Sequence, residues 1–332
     1  AQHLTLHDDD TLLGAVPLYV KANSHGEYVF DWAWADAWER AGGDYYPKFL
    51  CAVPYSPVTG PRLLVGDGAD ADVRRRTLAT ALRELTDRAG LSSLHVDFLR
   101  DEDIAAFDDA WLERSDWQFQ WRNPGGWRDF QDYLDALTHK RRSAIRRERQ
   151  QVAGAGVACE FRDGGALDED DWRSMHHLYT HTFDEKGNTP TLTLEFFRHL
   201  GAAFPHHSHV AFARRDRGII AGALFLSSHD TLYGRYWGAR EAVPGLHFEL
   251  CYYQGIDHCL RAGLHRFEPG AQGLHKLARG FLPARTHSRH YIADAGFRAA
   301  IRAALKREAA LLEARGRELL AHSPFAERGR DR

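Results

Sequence analysis

The chain has 332 residues, 44% of them hydrophobic, and a formal charge of −3. With 18 Phe, 12 Tyr and 9 Trp it can bury a real core, which excludes a disordered chain and fits one large domain or two ordinary ones. The near-neutral balance excludes a protein that coats nucleic acid over its whole surface. No apolar run reaches the ~20 residues of a membrane span. Four scattered cysteines (Cys51, Cys159, Cys251, Cys259) without a CxxC pair argue against a disulfide scaffold or zinc ribbon, and for a reducing, cytoplasmic setting.

In chain order, His3–His7 and Leu12–Val20 read as strands around the polar turn Asp8-Asp9-Asp10, with Tyr28–Phe30 as a third. Trp32–Ala41 reads as a helix closed by Gly42-Gly43. Lys48–Val53 is a strand, 54–68 a Pro/Gly loop, Asp72–Ala89 a helix, and Leu94–Leu99 and Trp117–Trp121 are strands. A long helix is expected from about Trp127 to Val152, with Phe130, Tyr133, Leu134, Leu137, Ile145 and Val152 near one face. The second half reads as strand Val157–Arg162, helices Asp170–Thr182 and Leu194–Phe204, and strands His209–Arg214, Gly218–Ser227 and Thr231–Trp237. Helix His247–Ala262, strands Leu264–Glu268 and Arg285–Ile292, and a closing helix Ala295–Leu320 complete it.

The halves look like one unit used twice. Leu4-Thr5-Leu6, a turn and Leu13–Leu18 resemble Val210-Ala211-Phe212, a turn and Ala221–Leu226. Strand, two helices, three antiparallel strands, helix, strand, helix, strand is the element order of the GNAT acyltransferase fold. The expectation is therefore an α+β protein of two tandem GNAT-like domains, with mixed, mostly antiparallel sheets flanked by helices. Its first domain (1–126) lacks its opening strand and helices. A basic linking helix (127–153), a second domain (154–293) and a C-terminal helix and tail (294–332) follow. A longer native chain is expected to supply roughly fifty residues that complete the first copy.

Two stretches carry chemistry. His139–Arg149 holds six Lys/Arg and one Glu, a net +5 that leaves −8 for the rest of the chain. Helical spacing puts Arg142, Arg146 and Arg149 on one face, suited to phosphate or a solvated face. Phe267–Phe281 is a strand end and glycine-rich loop with Glu268, Gln272, His275, Lys276 and Arg279, a pattern that favours a ligand site over an ordinary turn. The turn 238–249 has Gly245 but places His247 and Phe248 where a pyrophosphate-binding turn wants small residues, which argues against acetyl-CoA. The His177/His181 pair and the His206–His209 cluster lack a tight ligand set, so no metal is expected. The Trp32, Trp34, Trp38 group reads as a core-facing helix start rather than a sugar platform.

Lys140, Arg142, Ile145 and Arg146 resemble the Lys-x-Arg-x-x-Ile-Arg stretch of the Fem aminoacyltransferases, and Arg279-Gly280-Phe281 resembles the end of their late strand–Gly-loop block. The family lysine falls at Ala278 here, and Lys276 lies two residues earlier, on the same side of an extended backbone. Tyr45-Tyr46-Pro47-Lys48, Pro57–Leu64 and Gly270–Gly273 with His275-Lys276 resemble an uncharacterised bacterial branch labelled peptidoglycan biosynthesis or recognition. The resemblance implies transfer of an acyl or aminoacyl group to an amine of a cell-envelope precursor or peptide. Aminoacyl-tRNA is the implied donor, an anionic peptidoglycan precursor the acceptor, and no cofactor is implied. In that reading Lys276 or Arg279 serves an oxyanion or phosphate, and Glu249, Glu268 or His275 takes a proton. Lys48 and Arg62 bind the anionic acceptor. Tyr46, Arg142, Arg146, Tyr236 and Gln272 join them as substrate-binding candidates. The alternatives are a non-catalytic protein that recognises a peptidoglycan fragment or nucleotide sugar, and an acetyl-CoA-dependent N-acetyltransferase.

Overall fold

The computed structural model describes residues 1–216, 218–271 and 273–326. The chain opens with an antiparallel hairpin, β1 (Leu4–Asp8) and β2 (Thr11–Val16), with Leu4 opposite Val16. Pro17 has no N–H to give and falls just after β2, and the chain resumes as β3 (Tyr19–Lys21). Tyr28–Phe30, expected as a strand, is instead a bend with Tyr28 at φ 62°. Glu27 and Asp31 on either side turn inward to Lys48, so the chain between them cannot pair as a strand. There follow α1 (Trp32–Arg40), β4 (Lys48–Cys51), α2 (Ala71–Arg88), β5 (Ser93–Val96), the short α3 (Asp101–Ile104) and β6 (Leu112–Arg122).

The expected long helix is two helices, α4 (Phe130–Ala136) and α5 (His139–Gly154). At the break Leu137 is extended and bridges Phe325, while the Thr138 amide donates to the Pro324 carbonyl. The apolar period carries across the break because both helices bury the same side: Tyr133, Leu134, Leu137, Ile145 and Val152 share one core. Next come β7 (Ala158–Asp163), α6 (Glu169–Glu185) with a capping box at Asp168, α7 (Leu194–Ala203), β8 (Ser208–Arg215), β9 (Gly218–Ser227) and β10 (Thr231–Ala239). The expected helix at His247–Ala262 is α8 (Leu246–Phe248), a π turn (Glu249–Tyr253) and α9 (Gln254–Ala262) in succession. β11 (Arg266–Glu268), a 3-10 turn (Leu274–Arg279), β12 (Leu282–Ile292) and α10 (Ala295–Ala321) close the chain.

Two compact units result, Ala1–Gln118 with Ala284–Glu318, and Phe119–Pro283 with the residues from Leu319 on. The sequence boundaries place 284–293 in the second domain and α10 apart. By contact they belong to the first unit, because β12 pairs antiparallel with β5, Tyr291 opposite Leu94. In the first unit β3 and β4 are antiparallel, β4 and β5 parallel across α2, and β12 lies beside β5. In the second, β7, β8, β9 and β10 form an antiparallel series, β11 is parallel to β10 across α9, and the end of β6 pairs antiparallel with β11. The shared element is therefore a parallel strand pair joined by a helix and flanked by an antiparallel strand, and the architecture is two GNAT-like α+β units. The internal correspondence runs β4-α2-β5 to β10-α9-β11. Helix α1 is not the counterpart of α9, because β3 and β4 on either side of it are antiparallel.

Each unit buries apolar residues on both sides of its sheet. In the first, α2 packs Leu78 and Leu82 on Phe49, Leu94 and Val96, while Trp34, Tyr45, Leu112 and Ile292 meet Ile301 and Leu305 of α10. In the second, α6 and α7 bring Trp172, Met175, Tyr179 and Phe197 onto Phe212 and Leu224. Trp121, Tyr133, Phe225, Tyr253, Ile256 and Phe267 fill the other side.

Candidate functional site

The second unit has an opening built into its sheet. β10 and β11 pair only from Thr231 to Tyr233, against Arg266 to Glu268. Beyond that, β10 runs on to Ala239 with β9 alone, and its register slips between Gly234 and Tyr236. A Cβ on Gly234 would meet the Pro269 backbone at 3.2 Å, so the absence of a side chain lets the two segments cross. Where the strands part lies a cavity of about 100 Å³ lined by Arg235, Tyr236, Trp237, His247, Cys251 and Tyr252, among others. His247 and Tyr252 come from α8 and the π turn, whose extra residue per turn re-aims side chains.

Beside it stands the 269–281 segment. It is not the extended loop expected from the family pattern but a 3-10 turn between Gly273 (φ 118°) and Gly280 (φ 81°). The reasoning that put Lys276 and Ala278 on one side of an extended strand is corrected accordingly. Lys276 is 3% exposed, and its Nζ donates to the carbonyls of Gly270 (2.7 Å) and Ala271 (3.0 Å). Burial lowers this amine from 10.5 to about 8, with the nearby Cys251 thiol opposing. His275 is exposed, and its Nε2 lies 2.8 Å from the Tyr252 hydroxyl. Burial, and then the positive charges of Lys276 and Arg279, lower its basicity. His247 has ring contacts with Trp237, Tyr252 and His275. Burial first, then nearby cationic groups including Arg279 and Lys276, drive it down to about 4, so it is neutral at physiological pH.

The other candidates in this unit are held by partners. Arg279 donates to Glu148 (2.6 Å), the Tyr253 hydroxyl (3.0 Å) and the His275 carbonyl (2.9 Å), with its guanidinium 3.3 Å from the Phe248 ring centre. Glu249 is buried, accepts from both ends of the Arg149 fork (3.1 and 3.2 Å) and from Gln254. Its carboxylate oxygens are thus engaged within the unit by Arg149 and Gln254. Glu268 is buried and accepts from Gln120 at 2.9 Å. Tyr236 stands half-buried against the Tyr179 ring, 4.8 Å away. Gln272 lies outside the described residues. On α5, Arg142 pairs with Asp135 (2.7 Å), Arg146 donates to Gln131 (3.1 Å), and Arg149 belongs to Glu249. The expected three-arginine face is thus divided among three partners. Lys140, Arg146 and Arg147 are the exposed cations of the run.

In the first unit the expected acceptor-binding groups are interior ones. Lys48 is fully buried and donates to Ser24 (2.7 Å), Glu27 (2.7 Å) and Asp31 (2.5 Å). Burial works to lower its pKa, but Asp31 and Glu27 outweigh it and hold it raised. All three ammonium hydrogens are taken, which leaves none for an anion. Tyr46 shares Ser24 with it, at 2.8 Å. Arg62, 2% exposed, spends its guanidinium on the carbonyls of Asp97, Val58 and Pro61. Both residues hold the unit together rather than facing a ligand, a correction to the sequence expectation.

Sequence reasoning missed His247 as a wall of the opening and Tyr252 as the partner of His275. His247 was legible only as an oversized residue in the turn, and Tyr252 gave no signal because a π turn has no simple period.

A model of one family, described as peptidoglycan biosynthesis/recognition, matches residues 1–327. The chain belongs to this FemAB-like family. Among solved structures, the C-terminal domain of a putative lysylphosphatidylglycerol synthetase from Agrobacterium fabrum is similar at a TM-score of 0.54 and 12% identity, over 76% of this chain and 80% of that one. L-PGS from Bacillus licheniformis is similar at 0.51 and 10% identity, over 74% and 78%. These likenesses are of fold. No curated protein matches the chain. Among the described residues, no helix is long and apolar enough to cross a membrane, and no group of three His, Cys, Asp or Glu could hold a metal ion.

Proposed function

We propose that this FemAB-like chain is a transferase that moves an aminoacyl or acyl group from a carrier ester, aminoacyl-tRNA, to an amine of a peptidoglycan precursor. The observation that carries the reading is Lys276. It is a buried lysine held, among the described residues, by two carbonyls and no carboxylate, near enough to Cys251 and His247 of the cavity wall to influence their charge. Attack of an amine on an ester carbonyl places negative charge on one oxygen and an extra proton on the nitrogen. The Lys276 ammonium, already desolvated, suits the oxyanion. His275, steadied by Tyr252, suits the proton.

The packing at Gly245 supports a donor other than acetyl-CoA. Gly245 (φ 83°) precedes α8, and an added Cβ there would meet the Glu148 carbonyl at 2.9 Å. Helix α5 thus crowds the first turn, where a pyrophosphate would need open amides. The cytoplasmic setting follows from the tRNA donor. One observation favours a second reading, recognition without catalysis: the carboxylates Glu249 and Glu268 are both hydrogen-bonded to neighbouring side chains of the unit.

The test supplies the full chain with tRNA carrying labelled amino acids and a soluble peptidoglycan precursor, alongside labelled acetyl-CoA. Label moving from tRNA to precursor, and lost in Lys276→Met, supports transfer. Label arriving from acetyl-CoA alone would overturn the donor, and precursor binding without transfer would favour recognition.

A further inference from the structure

The histidine cluster around His207 and His209 takes no part in the site above. β7, β8 and β9 bring three of its neighbours onto one face of the sheet. His209 stands opposite Asp163 in one ladder and Phe225 in the other, and Ser227 lies two residues beyond Phe225, on the same side. His209 Nδ1 is 2.8 Å from Asp163 Oδ1, and its Nε2 is 2.9 Å from Ser227 Oγ. The imidazole is 3% exposed and its ring packs beside those of Phe161 (5.5 Å) and His258 (4.7 Å), which fixes its plane. Ser227 is half-buried, and the exposed His207 places its Nδ1 3.5 Å from the same hydroxyl oxygen.

We propose that Ser227, His209 and Asp163 form a second reactive site, a serine nucleophile with its base and orienting carboxylate, acting on exposed carboxylic esters. The nucleophile-to-base and base-to-carboxylate contacts are both present, which is the geometric test for such a constellation. Ionised Asp163 can only accept, so Nδ1–H donates to it and Nε2 is left to accept from the Ser227 hydroxyl. Burial lowers the basicity of His209, and the hydrogen bond and charge of Asp163 oppose it.

In the first step Ser227 Oγ bonds to the ester carbonyl carbon and its proton passes to His209 Nε2. His207, whose Nδ1 lies 3.5 Å from Ser227 Oγ, is placed to give a hydrogen bond to the carbonyl oxygen that takes up the negative charge. Collapse breaks the carbon–oxygen bond to the alcohol, which leaves with the proton from His209. Water then adds to the acyl-serine, its proton passing through His209 back to Ser227 Oγ as the carboxylic acid departs. The Asp163 side chain is 49% exposed, so its charge is screened and turnover is slow.

The test treats the full chain with a fluorophosphonate probe and with p-nitrophenyl acetate, reading the adduct by peptide mass mapping. One adduct on Ser227 is expected, absent in Ser227→Ala. Asp163→Asn should slow labelling about tenfold and alter its acid limb. Ser227→Ala removes one hydroxyl, so its thermal melt verifies folding independently of His209 variants. Aminoacyl transfer by Ser227→Ala should match the parent chain, which separates this site from the Lys276 site. No adduct on Ser227 under conditions that label an authentic serine esterase, or an unchanged rate in Ser227→Ala, overturns the proposal.

Discussion

Two lysines of nearly equal burial behave oppositely, and their neighbours explain why. Lys48 has two carboxylates and a hydroxyl, whereas Lys276 has two carbonyls. Removing the Lys48 amine leaves Glu27 and Asp31 buried without a cation, which costs about 3–5 kcal/mol. Lys48→Met should therefore lose most of its denaturant stability, and a midpoint unchanged from the parent would contradict the interior role. Lys276→Met should do the reverse at neutral pH. Its folded pKa lies near 8, below the usual 10.5, so the fold disfavours the charged form. The penalty is full below about 8 and fades as pH rises toward the unfolded value. The variant should melt higher than the parent at pH 7, and the gap should narrow by pH 10. A gap that ignores pH would show that the amine is not the strained group.

At the scale of elements, the second unit was the more legible. Its central strands read as short buried apolar runs, Gly218–Ser227 matches its expected bounds, and the order of helices and strands held throughout. What local pattern could not carry was any feature set by distant chain. The break at Leu137 depends on Phe325 and Pro324, and the π turn depends on packing rather than period. β12 joins β5 across nearly two hundred residues. The candidate site was legible as a loop, through Lys276 and His275, but the partners that immobilise Arg279 and Glu249 come from α5, remote in sequence. Close packing of α6 on β10 gives a test of the opening's frame. A Cβ on Gly238 would fall 2.1 Å from the Leu178 carbonyl, a backbone atom that cannot swing aside. Gly238→Ala should destabilise by about 1–3 kcal/mol and reduce transfer with it. Parent-like melting would mean that α6 shifts freely.

For the whole molecule, the net charge of −3 conceals a −8 background around one +5 run. The proposed RNA donor would be repelled by that background, so its docking would draw on exposed cations such as Lys140, Arg146 and Arg147. Replacing these three with Ala should weaken aminoacyl-tRNA binding and reduce its salt slope by roughly 2–3. An unchanged slope would make α5 a solvated face. The central claim is that Lys276 serves an acyl transfer from a tRNA ester. It is tested most directly by following a labelled amino acid from tRNA to a peptidoglycan precursor as a function of pH, in the parent chain and in Lys276→Arg. The account predicts transfer that falls as pH rises through about 8 in the parent, and a fall displaced to higher pH in the arginine variant, whose guanidinium stays charged. Identical pH profiles in the two proteins, or no transfer from tRNA in the parent, would contradict it.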